Sequence, residues 1–502
     1  MGDLSVKATE FMLKKKPKSR TDRNQSVHSN GEAIERQWSE GTQEDRFEKE
    51  IRKGFTRVQE RAKQMNTEEY SRLKNLREIA EPSVWTDQML TTLIKGVKRG
   101  KWYSLMDKVY SKANVEASTD AVLKGGEAPG VEKITVECYK TKREHFNEKL
   151  IEDLTSNEYR PEAIRRTYIP KAGRKELRPL GIPTIRDRIV QKAILNVIEP
   201  IFENEFSNSS YGFRPKRSCK DALREADKLL EEGYKYVLDA DIKSFFDNIS
   251  HTKILELLRE KITDGKVLEL IKGMLKQEIM EEIKKWTPES GTPQGGVISP
   301  LLANIYLDGL DKLMESTGYK MIRYADDFII LCKDRKEAEE AHSKINKWMS
   351  EMKLTLHSEK TRIVDMTIAG ESFNFLGYRF LNNKNRIKRV PSDKSNKKFK
   401  DSIRAHTKRS NGNSLICIIK NITPIMRGWF EYYKHSRKYI FIALDGWVRR
   451  RLRSILRKRK KLRGIAKGSS NIDWPNKFFE DNGYFSLEGA YLSQCQSLWR
   501  KC

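Results

Sequence analysis

Residues 321–332 read MIRYADDFIILC, in which two short apolar runs flank a pair of aspartates at positions 326 and 327. Apolar runs on both sides of an Asp-Asp pair predict a β-hairpin that carries the two carboxylates at its turn. Adjacent ionised carboxylates repel each other and raise each other's pKa unless a cation lies between them. Most Asp-Asp pairs are exposed turns, so this stretch alone does not define a site.

A second acidic cluster, DADIKSFFD at 239–247, follows the apolar run YVL at 236–238. Phosphoryl transfer can use two divalent ions about 3.5–4 Å apart, which hold the attacking and leaving oxygens. Mg²⁺ prefers hard oxygen ligands such as carboxylates. The two clusters together therefore predict a magnesium site far more specifically than either cluster does alone.

The chain is strongly basic, with 98 Lys and Arg against 70 Asp and Glu and a net charge of +28. This excess predicts a polyanionic partner, because each phosphate contact releases condensed counterions. A ribosomal or chromatin protein would show the same excess, so the charge indicates a class of partner and no reaction. The six cysteines lack the paired spacing of a zinc knuckle, and no apolar run is long enough to span a membrane. We expect a cytoplasmic protein without a membrane partner.

Two further stretches indicate contacts with a ligand. GTPQGGVISP at 291–300 places two adjacent glycines before a helix that begins at Ser299 and Pro300. Adjacent glycines let the backbone approach a ligand closely, although a turn that needs glycine is an equal alternative. IPKAGRKELRPLGIP at 169–183 predicts two strands joined by a turn that contains glycine.

In their order along the chain, these stretches resemble the fingers and palm motifs of reverse transcriptases. LTLHSEKT at 354–361 and FNFLGY at 373–378 resemble the last two palm elements, so the resemblance spans roughly residues 102–380. It implies two Mg²⁺ ions, with Mn²⁺ as a substitute, held by the catalytic triad Asp241, Asp326 and Asp327 and by the carbonyl of Ile242.

The same resemblance implies a set of nucleotide-binding residues. Lys171 and Arg178 would bind the triphosphate as a point charge and a bidentate fork. Phe246 would lie under the sugar and reject a 2′-hydroxyl, with a core aromatic as the alternative interpretation. The set is completed by Gln294, near the base and sugar, and Lys360, near the triad.

Beyond the palm the sequence becomes helical and basic. LICIIKNITPIMRGWFEYY at 415–433 is apolar at helical spacing, and Pro424 predicts that it divides into two packed helices. Residues 449–463 are charged nearly all round, which predicts a helix that is no part of a core. With RVPSDKS at 389–395, these stretches resemble the thumb and maturase domain of group II intron proteins. We expect the RNA backbone to be bound by Arg449, Arg450, Arg451, Arg453, Arg457 and Lys458.

The expected fold class is α+β, a right-hand polymerase with fingers and an antiparallel-sheet palm, followed by an α-helical thumb/maturase domain. The predicted boundaries are a charged, partly disordered or helical N-terminal extension at 1–84, fingers at 85–236, palm at 237–381, thumb/maturase at 382–465 and a C-terminal tail at 466–502. Many relatives add a C-terminal DNA endonuclease with paired cysteine ligands. No paired cysteines follow Tyr378, so we expect no such domain.

The resemblance implies an RNA-directed DNA polymerase that also binds its group II intron RNA to assist splicing and mobility. Its partners would be that intron RNA, an RNA template, a DNA primer or target, and dNTPs. Such a protein would associate with the bacterial nucleoid when it acts on DNA. Two alternatives stay open: an RNA-binding splicing cofactor with little polymerase activity, and a domesticated reverse transcriptase that serves host defence.

Overall fold

The structure, a computed structural model, describes residues 66–97, 100–126, 128–170, 177–282, 284–384, 386–464, 466 and 468–499. Most of the predicted N-terminal extension lies outside the described residues, and so does Lys171. None of the helices in the described ranges is long and apolar enough to cross a membrane.

The first part of the described chain is mainly helical. Its elements are α1 (Thr67–Ile79), α2 (Asp87–Lys95), α3 (Met106–Val109), α4 (Lys112–Leu123), α5 (Val136–Thr141), α6 (Arg143–Thr155), β1 (Ile164–Pro170), β2 (Leu177–Ile182) and α7 (Ile185–Glu203). Helix α7 is central here, since its residues Ile189, Ile194 and Val197 are fully buried. Thr184 caps this helix, and its hydroxyl oxygen accepts a hydrogen bond of 3.1 Å from the backbone N–H of Asp187.

Helix α1 belongs to the same packed unit. Its residues Leu73 and Leu76 are buried in one core with Trp85 and with α7. The packed region therefore extends to the N-terminal side of Trp85, although the sequence around α1 is polar and rich in charge. A helix needs only one apolar stripe to bury, and two leucines at i and i+3 supply it here.

The sheet that carries the two acidic clusters, called the catalytic sheet below, follows together with its helices. Their elements are α8 (Cys219–Glu231), β3 (Tyr236–Asp241), α9 (Phe245–Asn248), α10 (His251–Lys261), α11 (Gly265–Leu275), β4 (Ile279–Glu281), β5 (Lys284–Trp286), α12 (Ser299–Ser316), β6 (Lys320–Tyr324), β7 (Asp327–Cys332), α13 (Arg335–Glu351) and β8 (Arg362–Asp365). The catalytic sheet has the strand order β6-β7-β3-β8, in which all neighbours are antiparallel. A second sheet has the order β2-β1-β4-β5. The predicted hairpin around the Asp-Asp pair is confirmed as β6 and β7.

The catalytic sheet is buried on both faces. Leu238 and Phe328 point into the core shared with α12 and α13, whereas Val237 and Ile329 point into a second core with α8 and the strands that follow. Side chains of a strand alternate between faces, so a strand buried on both sides reads as a continuous apolar run. This is why FIILC at 328–332 shows no polar alternation.

The last part of the chain is a small sheet and a helical bundle. Its elements are β9 (Ser372–Phe375), β10 (Tyr378–Asn383), β11 (Arg386–Pro391), α14 (Asp393–His406), α15 (Leu415–Tyr433), α16 (Lys438–Arg459), α17 (Ser470–Asp473), α18 (Asn476–Asp481) and α19 (Leu487–Trp499). Strands β9, β10 and β11 form an antiparallel sheet. The antiparallel catalytic sheet and this helical region together confirm the predicted α+β class.

The prediction of two helices on either side of Pro424 is wrong, because α15 is continuous from Leu415 to Tyr433. Pro424 is exposed, so water can satisfy the Lys420 carbonyl that loses its usual donor. Ile422 and Met426 remain fully buried on the opposite face. Packing on that face outweighs the local cost of proline.

The prediction that the basic helix takes no part in a core is also wrong. Val448, Leu452 and Ile455 of α16 are fully buried, with Arg449 and Arg453 beside them at 7% and 5% exposed. The core of α14, α15 and α16 also contains Trp474 and Leu487, which the sequence placed in a tail. The many charged residues of α16 obscure, in the sequence, the narrow apolar stripe of Val448, Leu452 and Ile455 that packs into the core.

Because α15 is continuous, replacing Pro424 with alanine should stabilise the protein. A proline inside a helix costs about 3 kcal/mol relative to alanine, partly offset by the greater freedom of the unfolded chain, so we expect a gain of about 1–3 kcal/mol in unfolding free energy. Urea unfolding followed by circular dichroism measures it. Asn421→Ala at a neighbouring exposed position should change stability by no more than about 0.7 kcal/mol. Loss of stability in Pro424→Ala would mean that proline begins a second helix.

Candidate active site

The pairing of β3 with β7 brings the two acidic clusters together. Asp241 is the direct partner of Asp327, and Asp326 lies in the turn between β6 and β7. Burial raises the pKa of Asp327 to about 7, and the negative charges of Asp239 and Asp241 act in the same direction. Burial also raises the pKa of Asp326, whose own hydrogen-bonded backbone opposes this. The three carboxylates form one electrostatically coupled group.

Lys360 lies against this group. Its ammonium donates a hydrogen bond to the carboxylate of Asp241, so a positive charge already faces that carboxylate. The backbone N–H of His357 donates to the Asp241 carbonyl at 2.8 Å, and this anchors the loop that carries Lys360. Among the described residues, no three His, Cys, Asp or Glu side chains stand in position to hold a metal ion. The Asp241 carboxylate is paired with Lys360 instead.

Ile242 lies at the end of β3 and is 2% exposed. It forms an isolated antiparallel bridge with Leu356. The bridge is held by the flanking groups, with Lys243 N–H donating to the Thr355 carbonyl at 2.9 Å. In this type of pair the carbonyl of the central residue points away from the partner strand. The Ile242 carbonyl is therefore directed away from Leu356, and its role as a metal ligand stays a prediction.

The turn that carries Asp326 is supported by a buried arginine. Arg323 is fully buried, and its guanidinium donates to the Ala325 carbonyl at 3.0 Å, to Asn304 at 3.0 Å and to Asp311 at 2.7 Å. Ala325 has a left-handed backbone with a φ of 60°, which costs about 1 kcal/mol or more outside glycine. The arginine holds this carbonyl in place.

The segment around Gly212 packs against the same turn. A Cβ at Gly212 would lie 2.3 Å from the Ala325 nitrogen, so only glycine allows this approach. The side-chain amide of Asn304 donates to the Gly212 carbonyl at 2.9 Å. The sequence predicted no role for Arg323, Asp311 or Asn304. A charged residue within an apolar strand, with an aspartate on an apolar helix, was the available signal.

Phe246 lies beside the triad on a short helical turn. Phe245 and Phe246 both belong to α9, which follows Ser244 in a left-handed conformation with a φ of 46°. Phe245 is 2% exposed, and Phe246 is half-buried with its ring centroid 5.3 Å from that of Phe245. The Phe246 ring is therefore partly exposed, whereas the Phe245 ring lies in the core.

The glycine-rich loop at 291–297 joins the fingers to the catalytic sheet. The Gln294 carbonyl accepts a hydrogen bond of 2.7 Å from the Gly181 N–H on β2. A Cβ at Gly295, whose φ is 122°, would lie 2.3 Å from the Gly181 carbonyl oxygen. Glycine is thus required here by close backbone packing on β2. The half-buried Gln294 lines a cavity of about 260 Å³ between this loop and the sheet of β1, β2, β4 and β5.

Arg178 projects from the exposed end of β2, where it pairs with Ile169. Its positive charge lowers the pKa of Asp326, so the guanidinium acts on the triad from across the site. Its predicted companion on the triphosphate, Lys171, is outside the described residues.

The six predicted RNA-binding residues do not form one surface. Arg449 and Arg453 are buried, and Arg451 donates to Thr407 through two nitrogens at 2.7 and 2.9 Å. Arg457 is half-buried and donates to the Arg463 carbonyl at 2.9 Å. Arg450 and Lys458 are exposed. The helix distributes its charges among core, loop contacts and solvent, because its residues turn about 100° apart.

Family models match two parts of the chain. Residues 169–380 match the model described as reverse transcriptase (RNA-dependent DNA polymerase). Residues 396–469 match the model described as group II intron, maturase-specific domain. The chain therefore has a reverse transcriptase domain whose carboxylates lie at the β3–β7 pairing, followed by a maturase-specific domain.

Curated relatives agree. The group II intron-encoded protein LtrA of Lactococcus lactis subsp. cremoris is 38% identical over 216 residues, which are 43% of this chain and 35% of LtrA. Protein YkfC of Escherichia coli K12 is 32% identical over 317 residues, which are 54% of this chain and 82% of YkfC. The chain belongs to the family of group II intron-encoded reverse transcriptases with a maturase domain. Its match spans about a third of LtrA.

Two solved structures show a weaker likeness. A partial Cas6-RT-Cas1–Cas2 complex is 28% identical, with 49% of this chain and 41% of that chain covered and a TM-score of 0.33. Telomerase from Candida albicans is 14% identical, with 64% of each chain covered and a TM-score of 0.37.

The buried Arg323–Asp311 pair predicts a strong double-mutant coupling. Arg323→Met leaves the Asp311 carboxylate buried and unpaired, and we expect it to cost about 3–5 kcal/mol of stability. Adding Asp311→Leu should recover most of that loss, because the uncompensated charge is gone. Urea unfolding of both variants measures the coupling.

The exposed ion pair of Arg335 and Glu339, at 2.9 Å, provides the control. Arg335→Met should cost no more than about 1 kcal/mol. A double variant that is as unstable as Arg323→Met alone would contradict the buried-charge account.

Proposed function

We propose that the protein is an RNA-directed DNA polymerase that extends a DNA primer with dNTPs in a two-metal reaction. The observation that carries the proposal is the β3–β7 register, which sets Asp241 against Asp327 beside the Asp326 turn. Membership of the reverse transcriptase family supports the same reaction.

The carboxylates of Asp241, Asp326 and Asp327 are hard oxygen ligands of the kind that Mg²⁺ prefers. Burial and the nearby carboxylates raise the pKa of Asp327 to about 7, which marks a donor set that gains stability from a bound cation. Asp241, Asp326, Asp327 and the Ile242 carbonyl would hold the ions. Bound Mg²⁺, or Mn²⁺ in its place, would polarise the primer hydroxyl and the phosphate oxygens.

The protein's own groups would position the reactants. Lys360 keeps a positive charge beside Asp241. Once the Asp241 carboxylate binds a metal ion instead, the Lys360 ammonium would be within reach of a nucleotide phosphate. Arg178, exposed on the fingers hairpin, would bind the triphosphate bidentately. Phe246 would lie under the sugar. In this reaction the primer 3′-hydroxyl attacks the α-phosphate and pyrophosphate leaves, so catalysis depends mainly on positioning and charge.

We also propose that the maturase-specific domain binds the parent group II intron RNA and assists its splicing and mobility. The family membership and the net charge of +28 support this. A folded RNA would be recognised largely through its shape and its phosphates. The alternative of a splicing cofactor with little polymerase activity has no observation in its favour, since the carboxylates of the triad are in register.

Asp326→Asn tests the reaction. The substitution keeps the side chain's size but removes one negative charge from the proposed metal ligands, so primer extension on an RNA template should fall by at least about 10³-fold. Binding of the same template, measured by fluorescence anisotropy, should change by less than about threefold, because phosphate contacts lie elsewhere.

Asp401→Asn, which alters an exposed ion pair with Arg404, is the matched control and should extend primers like the wild type. Full extension by Asp326→Asn would sink the two-metal proposal. Loss of template binding together with extension would show that the two functions share one site.

Phe246→Ala tests the role of the ring in sugar selection. Removing the ring should raise incorporation of ribonucleotides relative to deoxyribonucleotides by about tenfold or more, because the 2′-hydroxyl no longer clashes. Single-nucleotide extension with dGTP or GTP measures the ratio of kcat/KM values. Phe478→Ala, at a half-buried ring in the last helical region, should leave the ratio unchanged. An unaltered ratio in Phe246→Ala would place sugar selection on another residue.

A further inference from the structure

A pocket opens between α16 and the segment that follows it. Its volume is about 690 Å³, which is within the range of pockets that hold a nucleotide-sized ligand. Its walls are Gly446, Arg449, Arg450, Arg453, Ala466, Gly468, Asn471, Pro475 and Asn476. Three of these wall residues are arginines, and none of the described wall residues is acidic. The positive charge of the pocket wall therefore favours an anionic ligand.

Arg449 is a buried cation with donors to spare. Its side chain is 8% exposed, and the nearest carboxylate oxygen, on Asp445, is 3.9 Å away, which is too long for a hydrogen bond. None of the described residues accepts a hydrogen bond from its guanidinium, which stacks over the Tyr484 ring at 5.8 Å. The guanidinium forms part of the pocket wall, so its donors are available to an anionic ligand in the pocket.

Asp445 does not use Arg449 as its main partner. The fully buried Asp445 carboxylate accepts hydrogen bonds from Tyr484 Oη at 2.8 Å, Ser486 Oγ at 3.0 Å, Leu487 N at 3.1 Å and Glu488 N at 2.9 Å. These four donors, two of them at the N-terminus of α19, satisfy the carboxylate. The donors of Arg449 are left for another acceptor.

Arg453, one turn after Arg449 on α16, holds the segment that forms the opposite wall of the pocket. Its Nε donates to the Trp474 carbonyl at 2.8 Å and its Nη2 to the side-chain oxygen of Asn476 at 2.9 Å. Burial lowers the pKa of Arg453, and the positive charge of Arg449 acts in the same direction. Two like charges held side by side in a low-dielectric site attract a phosphate strongly. Arg450 is exposed at the rim.

The glycines of the pocket have no packing reason to be glycine. A Cβ built at Gly446 or Gly468 meets no atom within 4 Å. Gly446 lies inside helix α16, where glycine costs about 1 kcal/mol relative to alanine. Its effect in the fold is to leave the space above Arg449 and Arg453 open.

We propose that this pocket binds a nucleotide of the recognised RNA through its phosphodiester group. Arg449 and Arg453 bind the phosphate oxygens as planar forks, and the exposed side chains of Asn471 and Asn476 reach the ribose or base. An unpaired nucleotide turned out of the RNA fits a pocket of this size better than a regular helix does. The inference rests on the proposed RNA binding and assigns it a site that includes residues beyond the matched maturase model, which ends at 469.

Gly446→Met in the full chain tests the pocket without removing a charge. The new side chain fills open space and improves helix propensity, so the variant should fold at least as well as the wild type. Its affinity for a fluorescein-labelled RNA stem-loop should fall by about tenfold, and the slope of log affinity against log salt should fall by about one unit. Primer extension should not change, because the palm triad is untouched.

Gly428→Met is the matched control. Gly428 is likewise a glycine inside a helix with no atom within 4 Å of a built Cβ, but it is not part of the pocket. It should bind the stem-loop like the wild type. Arg449→Gln should lose affinity to the same degree as Gly446→Met, and equal affinity of wild type and Gly446→Met would overturn the proposal.

The remaining outcomes separate the pocket from the proposed function. If the wild type itself fails to bind the stem-loop, the proposed RNA binding fails and the pocket assignment with it. A second arm measures thermal stabilisation by 5′-AMP. Stabilisation of the wild type but not of Gly446→Met, with equal stem-loop affinity in both, would assign the pocket to a free nucleotide and overturn the RNA proposal.

Discussion

The antiparallel pairing of β3 with β7 is the constraint on which the rest of the structure depends. The two strands form the centre of a sheet that is buried on both faces. A shift of one residue would move every side chain to the opposite face, and the cores on the two sides contain different helices. The hydrophobic packing of Leu238 and Ile329 therefore fixes the register, and the register sets Asp241 beside Asp327. The position of the carboxylates is a consequence of apolar packing.

Buried charge then fixes the turn that carries Asp326. Arg323 and Asp311 are both fully buried, and they form an ion pair within the core between β6 and α12. The burial of the ion pair is compensated by hydrogen bonds to Asn304 and to the Ala325 carbonyl. This places the strained Ala325 backbone in one conformation. The turn is thus held by a network whose members come from distant parts of the chain.

In the helical region, too, charged residues take part in the core. Arg453 stacks on Phe479 at 5.1 Å and donates to the segment that returns along α16. Asp445 holds the start of α19 in the same way. The C-terminal segment is therefore part of the bundle, and the pocket above Arg449 exists only because this segment folds back. Anion binding and packing are properties of the same arginines.

The catalytic motifs, the Asp-Asp hairpin and the α+β class could be predicted from the residues alone, because these depend on local periodicity and on residue types with few alternative uses. The sequence also indicated where Phe246 and Lys360 lie, through spacing that resembles a known family. It did not predict the continuous helix through Pro424, the helical turn at Phe245 or the burial of Arg449 and Arg453. Those features depend on which face of each element meets another element, and local propensity carries no information about that face. Only the tertiary structure decided them, since the energy of packing and of buried hydrogen bonds exceeds the local preferences that can be read along the chain.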